Sequence, residues 1–448
     1  MKAYRSIAAF AAIIFVAAGS GFYWWHGKSA AAASVATATE YKTSQEASNV
    51  YVRFDMEAYD DIEGQYWQQV QDADMAKLFL ASVQKAGQNL NAPAASNATL
   101  ASSTREGVAQ MLSAAFAGSS TTTQEQLALG TLQVALYNLA PTGRNNLLSS
   151  QAKQQLENTV NNVNPNNNLY DDLGIPQGSS EAAVAQAAAE KSAQLAATTS
   201  AQGKQELAQV QKAAATLTNP TAKAIYDQTG AEATVFTHVL NSHTLYIDIS
   251  SVAPSTIAEV AAAIDSASTT PALDNLIIDV RGNIGGDLSF AQNFLALFFG
   301  PNEYAFDLYH QGNLQVQRTA NIAKDPTTLQ FKQIAVLTDS MTQSTAELSA
   351  SALKHDHLAY TVGTTTRGWG SVEAIVPMQT VLDPSDTYAL ELVEYLTVRY
   401  DNLPIEGNGV APDVDVNSSL WRSQLPNYFN SQYMINAIEN EVTKAPLH

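Results

Sequence analysis

The 448-residue chain is 46% hydrophobic and 15% charged, enough for more than one domain with a sizeable core. Its 42 acidic against 23 basic residues leave a formal net charge of −19, a surface that repels phosphate backbones, so nucleic acid is not expected as a partner. With no cysteine, and seven histidines in no H-x-x-x-H spacing, disulfides, thiol catalysis, thiolate metal sites and lipoprotein acylation drop out; neither a metal nor a cofactor is expected.

Lys2 and Arg5 precede an apolar run from Ile7 to Trp25 that is almost long enough to cross a bilayer. Tyr23, Trp24 and Trp25 cluster at its far end, where amphipathic rings favour the interface. Residues 1–28 are therefore expected to be a single-pass anchor in the cell membrane. The positive end would stay in the cytoplasm and the bulk of the chain would be extracytoplasmic, in the periplasm or outside. A cleaved signal peptide is the alternative, because the small residues between Ala30 and Ala38 suit a signal peptidase. Residues 29–48, rich in Ala, Ser and Thr, read as a flexible tether.

Helical spacing begins near Val52. Phe54, Tyr59, Ile62, Tyr66, Val70, Met75, Leu78, Phe79 and Val83 trace one apolar face through Arg53–Ala86. Arg105–Phe116 and Gln124–Leu139 continue the pattern, so residues 49–156 are expected to form a helical domain. The Asn-rich run Asn158–Asn168 reads as a linker.

Residues 169–230 open with Tyr170-Asp171-Asp172-Leu173-Gly174-Ile175-Pro176 and a helix start at Ser179-Ser180-Glu181. They close with Leu217-Thr218-Asn219-Pro220 and Lys223-Ala224-Ile225-Tyr226-Asp227. These phrases resemble a J-domain, the helical module of Hsp70 co-chaperones. The family's His-Pro-Asp loop should fall near Ala196-Ala197-Thr198, where it is replaced, and its basic helix is alanine and glutamine here. The segment is expected to be a J-like helical spacer, and Hsp70 is not expected as a partner.

From Ala231 to residue 445 strands alternate with helices, which indicates an α/β domain. Thr244–Ile249, Leu276–Val280, Gln333–Leu337, Ala359–Val362, Ser371–Val376 and Ala389–Val398 read as strands; Ser255–Ala267 and Ser344–Lys354 read as helices. Arg281 to Gly286 form a glycine-rich turn whose amides face outward without a Cβ in the way, a way to build an oxyanion cradle. Ser344 lies where a loop enters a helix, so the helix N-terminus favours negative charge developing on Oγ. The Thr345 N–H is one candidate oxyanion donor, and a Gly285 or Gly286 amide the other. The blander account makes Ser344 a helix cap with Glu347 completing a capping box.

Four phrases occur in order: Ile278-Asp279-Val280-Arg281-Gly282-Asn283-Ile284-Gly285-Gly286, Ser344-Thr345-Ala346-Glu347, Val362-Gly363-Thr364-Thr365-Thr366-Arg367-Gly368-Trp369-Gly370, and Glu406-Gly407-Asn408-Gly409-Val410-Ala411-Pro412-Asp413. Over residues 240–416 the chain resembles the S41 peptidases, the tail-specific or C-terminal processing proteases. The resemblance implies a crotonase/ClpP-like α/β core, preceded here by an all-α region and the N-terminal transmembrane helix. It also implies a serine nucleophile at Ser344, oxyanion donors near Gly285, Gly286 and Thr345, no metal or cofactor, and polypeptide substrates that enter by their C-termini. The family's general-base lysine belongs where Trp369 stands, and an indole N–H accepts no proton. Glu373 or His243 is a candidate substitute base, with Glu406 a candidate orienting acid; Asp279 and Arg281 are read as braces of the turn. Two readings follow, a serine peptidase acting through Ser344 or an inactive pseudoprotease that binds polypeptides.

Overall fold

A computed structural model describes residues 41–355 and 357–447; the expected anchor at 1–28 and the tether up to residue 40 lie outside them. Among the described residues no helix is long and apolar enough to cross a membrane. The chain divides into Met1–Ser44 and Gln45–His448, and the second unit carries the fold. The expected tether ends early: Ser44–Ser48 is helical, and Glu46 is buried in an ion pair 2.7 Å from Arg105.

Four long helices follow, with the short turn Pro93–Ser96 between the second and third: α1 (Val50–Gln65), α2 (Asp72–Asn89), α3 (Arg105–Phe116) and α4 (Thr121–Asn138). Asn49, Thr104 and Ser120 cap α1, α3 and α4 with side-chain oxygens that take up orphan N–H groups. The expected continuous face over Arg53–Ala86 is broken at Tyr66–Gln71. There the Trp67 N–H donates to Val393 O at 2.9 Å and the Trp67 carbonyl accepts from Gln311 N at 2.7 Å, so sheet partners replace helical ones. The helices share one core with the sheet: Phe54, Tyr59, Phe79, Leu112 and Leu132 belong to the same buried cluster as Val376, Leu390, Leu392 and Val393. Strand β1 (Asn146–Ser149), outside the expected pattern, follows, then α5 (Ser150–Val160).

The segment expected to be J-like comprises α6 (Leu169–Leu173), α7 (Glu181–Leu195), α8 (Ala201–Thr218) and α9 (Pro220–Thr229). Its opening and closing phrases meet: the Tyr170 hydroxyl donates to Asp227 at 2.5 Å and accepts from Lys223 at 2.8 Å, while Leu169 N–H donates to the Tyr226 hydroxyl at 2.9 Å. Leu169, Tyr170, Leu173, Val184, Val210 and Leu217 form its own small core. Ala196–Thr198 sit in the connection between α7 and α8. The segment leaves and re-enters the fold at one point, where Val163 bridges Ala231 and the Glu232 N–H donates to Asn162 O at 3.0 Å.

The remaining strands and longer helices are β2 (Val235–Asn241), β3 (Thr244–Ile249), α10 (Thr256–Ser266), β4 (Asn275–Asp279), α11 (Ser289–Phe299), β5 (Tyr304–His310), β6 (Asn313–Arg318), β7 (Gln333–Thr338), α12 (Thr345–His355), β8 (Tyr360–Gly363), β9 (Ser371–Pro377), β10 (Tyr388–Val398), β11 (Val414–Asp415) and α13 (Gln432–Glu441). A six-stranded sheet runs β11-β8-β7-β4-β3-β2, parallel except for β2 against β3. Every residue of β3 and β4 is buried, as helices on both faces require. Alternation sends Tyr246, Ile277, Ala335 and Val362 toward α13. Ile249, Ile278 and Val336 point the other way, toward Phe290 and Phe294 of α11 and Ala346 and Ala350 of α12. The second sheet holds β1, β10, β5 and β6 in that order, with β9 paired to β10. Parallel strands place the carboxyl ends of β3, β4, β7 and β8 along one edge, where loops meet.

Candidate active site

Strand β4 leads into the turn Val280–Gly286. Asp279 is fully buried and accepts from Arg281 N at 2.9 Å, from Arg281 Nη2 at 2.5 Å and from the Tyr246 hydroxyl at 2.6 Å. Burial pushes its carboxyl up, and the Arg281 guanidinium opposes that. Arg281 also donates to the Lys444 carbonyl at 2.9 Å. Both residues are occupied as braces. Asn283, also buried, donates to Ile249 O at 2.6 Å and accepts the Gly285 N–H at 2.8 Å. The Gly285 amide is therefore already used within the turn and is withdrawn as an oxyanion donor. Among the described residues the Gly286 N–H has no intramolecular acceptor.

Gly285 and Gly286 have φ of 81° and 147°. Each also touches another loop: a Cβ on Gly285 would lie 2.6 Å from Ser344 Cβ and 3.1 Å from its Oγ, and one on Gly286 would lie 1.9 Å from Val252 O. Only glycine lets the turn approach the serine so closely.

Strand β7 delivers the serine. Asp339 accepts from Gly282 N at 3.0 Å and from Thr342 N at 2.9 Å, and the Thr342 hydroxyl donates to Val280 O at 2.8 Å, so the two loops are cross-tied. Ser344 then stands at φ 53°, the left-handed region that a side chain rarely occupies. Its N–H lies between Trp369 O at 3.1 Å and Glu347 Oε2 at 2.9 Å. Glu347, fully buried, also accepts Gly368 N at 2.8 Å, Trp369 N at 2.9 Å and the Thr366 hydroxyl. Desolvation pushes its carboxyl up against these donors. One half of the capping box is thus present, but Ser344 Oγ caps nothing: it makes no hydrogen bond among the described residues, and neither does the Thr345 N–H. The Thr345 hydroxyl donates to Gly286 O at 3.1 Å, which seats Thr345 beside the paired glycines. The void beneath this loop, about 10 Å³ between Val280, Phe290 and Ala346, is not lined by Ser344.

The loop Thr366–Ser371 forms the other wall. Trp369, half-buried, carries the Arg144 guanidinium 3.4 Å above its ring centroid, and that of Arg367 at 5.0 Å. Arg144 comes from the turn between α4 and β1, a residue that no motif in the sequence marks. It donates to the Ser371 hydroxyl at 2.7 Å and to Glu406 at 3.0 Å. Glu406 also accepts Gly370 N at 2.8 Å, and the Ser371 hydroxyl donates to Glu373 at 2.6 Å. Burial pushes the Glu373 carboxyl up, opposed in part by Arg144.

Neither Glu373 nor Glu406 hydrogen-bonds Ser344 Oγ: Glu406 accepts from Arg144 and from Gly370 N, Glu373 accepts from the Ser371 hydroxyl, and among the described residues Glu406 orients no histidine. His243 is ruled out by topology. It precedes β3 and stacks on Tyr433 at 4.1 Å with Asp274 at 3.4 Å. Ser344 follows the opposite end of a parallel strand, and the six residues of β3 span about 20 Å.

A serine at a helix entrance, set against a glycine turn with bare amides on an α/β sheet edge, is able to set a hydroxyl and two N–H donors around one carbonyl group. Residues 243–416, about two fifths of the chain, match the model of Peptidase family S41. The carboxy-terminal processing protease CtpA of Bacillus subtilis is 28% identical over 202 residues, which cover 45% of this chain and 39% of that protein. The carboxy-terminal-processing protease of Bartonella bacilliformis is 29% identical over 157 residues, 35% of this chain and 34% of that one. The chain thus spans between a third and two fifths of these relatives' length. Among solved structures, a photosystem II D1 C-terminal processing protease aligns over 42% of this chain and 49% of its own at 18% identity, with a TM-score of 0.35.

Proposed function

We propose that the cleft between Gly286 and Ser344 receives an extended polypeptide, its backbone carbonyl set against the Gly286 and Thr345 N–H groups, and that it holds the chain without hydrolysing it. The observation that carries this reading is the Ser344 hydroxyl, which has no proton acceptor in hydrogen-bond reach. Trp369 takes the lysine's place in the sequence, and its neighbours Arg144 and Arg367 offer only donors. Ile284 and Met341, about half exposed on the two loops that flank Ser344, give an approaching chain apolar surface. Entry by the C-terminus of the polypeptide is part of the same proposal, taken from the names of the relatives.

A second reading, peptide hydrolysis through Ser344, is favoured by the positive φ of Ser344 and the two bare amides. Both readings are tested on the full chain with fluorescein-labelled β-casein, an unfolded polypeptide, and a fluorophosphonate probe, comparing wild type with Ser344→Ala. The binding reading expects casein to bind uncleaved and probe labelling to be equal in the two proteins. Labelling and cleavage that vanish in Ser344→Ala would replace it with the hydrolytic reading. A chain that neither binds casein nor labels defeats both.

A further inference from the structure

Arg144 is delivered to the cleft by a rigid segment. The next residue, Asn145, is fully buried and accepts the Val393 N–H of β10 at 2.8 Å, and β1 pairs with β10 from Asn146↔Glu391 onward. The turn before it is closed by Gly143 N–H donating to Tyr137 O at 3.0 Å. The guanidinium, 13% exposed, reaches the indole face, the Ser371 hydroxyl and the Glu406 carboxylate together. The indole and the Ser371 hydroxyl lie on the loop whose Trp369 carbonyl and amide bind, respectively, Ser344 N–H and the Glu347 carboxylate that also holds Ser344, and Glu406 accepts that loop's Gly370 N–H.

We propose that Arg144 is a positioning residue for the Ser344 cleft: from the helical region it clamps Trp369 and the loop Thr366–Ser371, and through them sets the geometry that receives a polypeptide. The inference rests on the polypeptide-binding reading and adds that the helical region completes the site. An arginine is required because one planar fork makes both hydrogen bonds while its face covers the ring; a lysine ammonium does one or the other. The clamp works through the loop, so Arg144 itself touches no ligand.

The test uses the full chain as wild type, Arg144→Met and Arg144→Lys, with labelled β-casein as the probe. Arg144→Met is expected to weaken casein binding about tenfold or more, the scale of losing hydrogen bonds to a charged group, and millimolar guanidinium ion is expected to restore it. Arg144→Lys, which keeps the charge and the aliphatic stem, is expected to recover only part of the affinity and gives a folded comparison should Arg144→Met unfold. A second readout needs no ligand: 5-fluorotryptophan in the chain, with the Trp369 resonance assigned by Trp369→Phe. Both Arg144 variants are expected to shift that ¹⁹F resonance and leave that of Trp421 in place. An unchanged casein affinity or an unchanged Trp369 resonance overturns the proposal, as does loss of affinity that guanidinium does not restore. If wild type fails to bind casein, the reading of the previous subsection falls, and the Trp369 resonance with its response to guanidinium alone decides the role of Arg144.

Discussion

A φ of 53° at Ser344 persists only where the surroundings impose it, and Glu347 is the imposing group, gathering N–H donors from both walls of the cleft. The Ser344-to-Glu347 spacing was visible in the sequence, but a capping box and a strained serine share that spacing, so spacing alone did not separate them. A different buried acid makes a cleaner prediction. Asp55 on α1 is fully buried, and neither carboxyl oxygen has a hydrogen-bond partner. Desolvation by burial pushes its pKa well above the ordinary value. The unfolded chain therefore releases this proton first as pH rises. No penalty exists below the unfolded pKa; it grows up to the folded pKa and is constant above it. Asp55→Asn is expected to stabilise the protein by more than about 1 kcal/mol at neutral pH and to change little in acid. Urea unfolding of both proteins at pH 4 and pH 7 measures this, and equal gains at both pH values would show that Asp55 is not held neutral.

Among the elements, the J-like segment makes the sharpest case. Its two ends are held side by side by the Val163–Ala231 bridge, its core is its own, and Ala233 N–H donates to Thr216 Oγ1 at 3.2 Å across the junction. Replacing residues 164–230 by a short glycine linker is expected to remove helical circular dichroism while the rest melts cooperatively. The Thr216 hydrogen bond and the Lys212–Glu232 ion pair are lost with it, together about 1–2 kcal/mol, which corresponds to a fall of roughly 2–8 °C. Loss of cooperative melting would make the segment integral to the fold. The same scale shows what the sequence could carry. The β-branched runs of β3, β4 and β7 were readable, because burial on both faces leaves marks on neighbouring residues. The hairpin β5–β6 went unread: its strands are half polar, and its Gln311-Gly312 turn, with φ of 45° and 87°, carries only one turn residue. The break between α1 and α2 was hidden too, since the apolar spacing runs through it and only partners on the sheet end the helix. At the site, Ser344, Thr345 and Gly286 were legible from local motifs. Arg144 was not, because its partners are distant in the chain and it follows no periodicity.

On the scale of the whole molecule, a net charge of −19 and a cysteine-free composition suit either side of a membrane, so location has to be argued from the N-terminal sequence. From Lys2 and Arg5 before the apolar run Ile7–Trp25, with aromatic residues at its far end, we propose a cytoplasmic start and an exported bulk. The proposed polypeptide cleft would then work outside the cytoplasm, on chains that have been exported or exposed at the surface. In a bacterial host the full chain is expected in the membrane fraction, and protease added to spheroplasts is expected to digest the α/β domain without lysis. Exchanging Lys2 and Arg5 for glutamate is expected to lower the exported fraction, because positive residues near a membrane segment set its orientation. If the segment is instead cleaved, the same domain appears as a shorter chain in the soluble extracytoplasmic fraction. A domain protected from protease until lysis, with residues 1–28 still attached, would remove both the anchor and the leader from the account and place the cleft among cytoplasmic polypeptides.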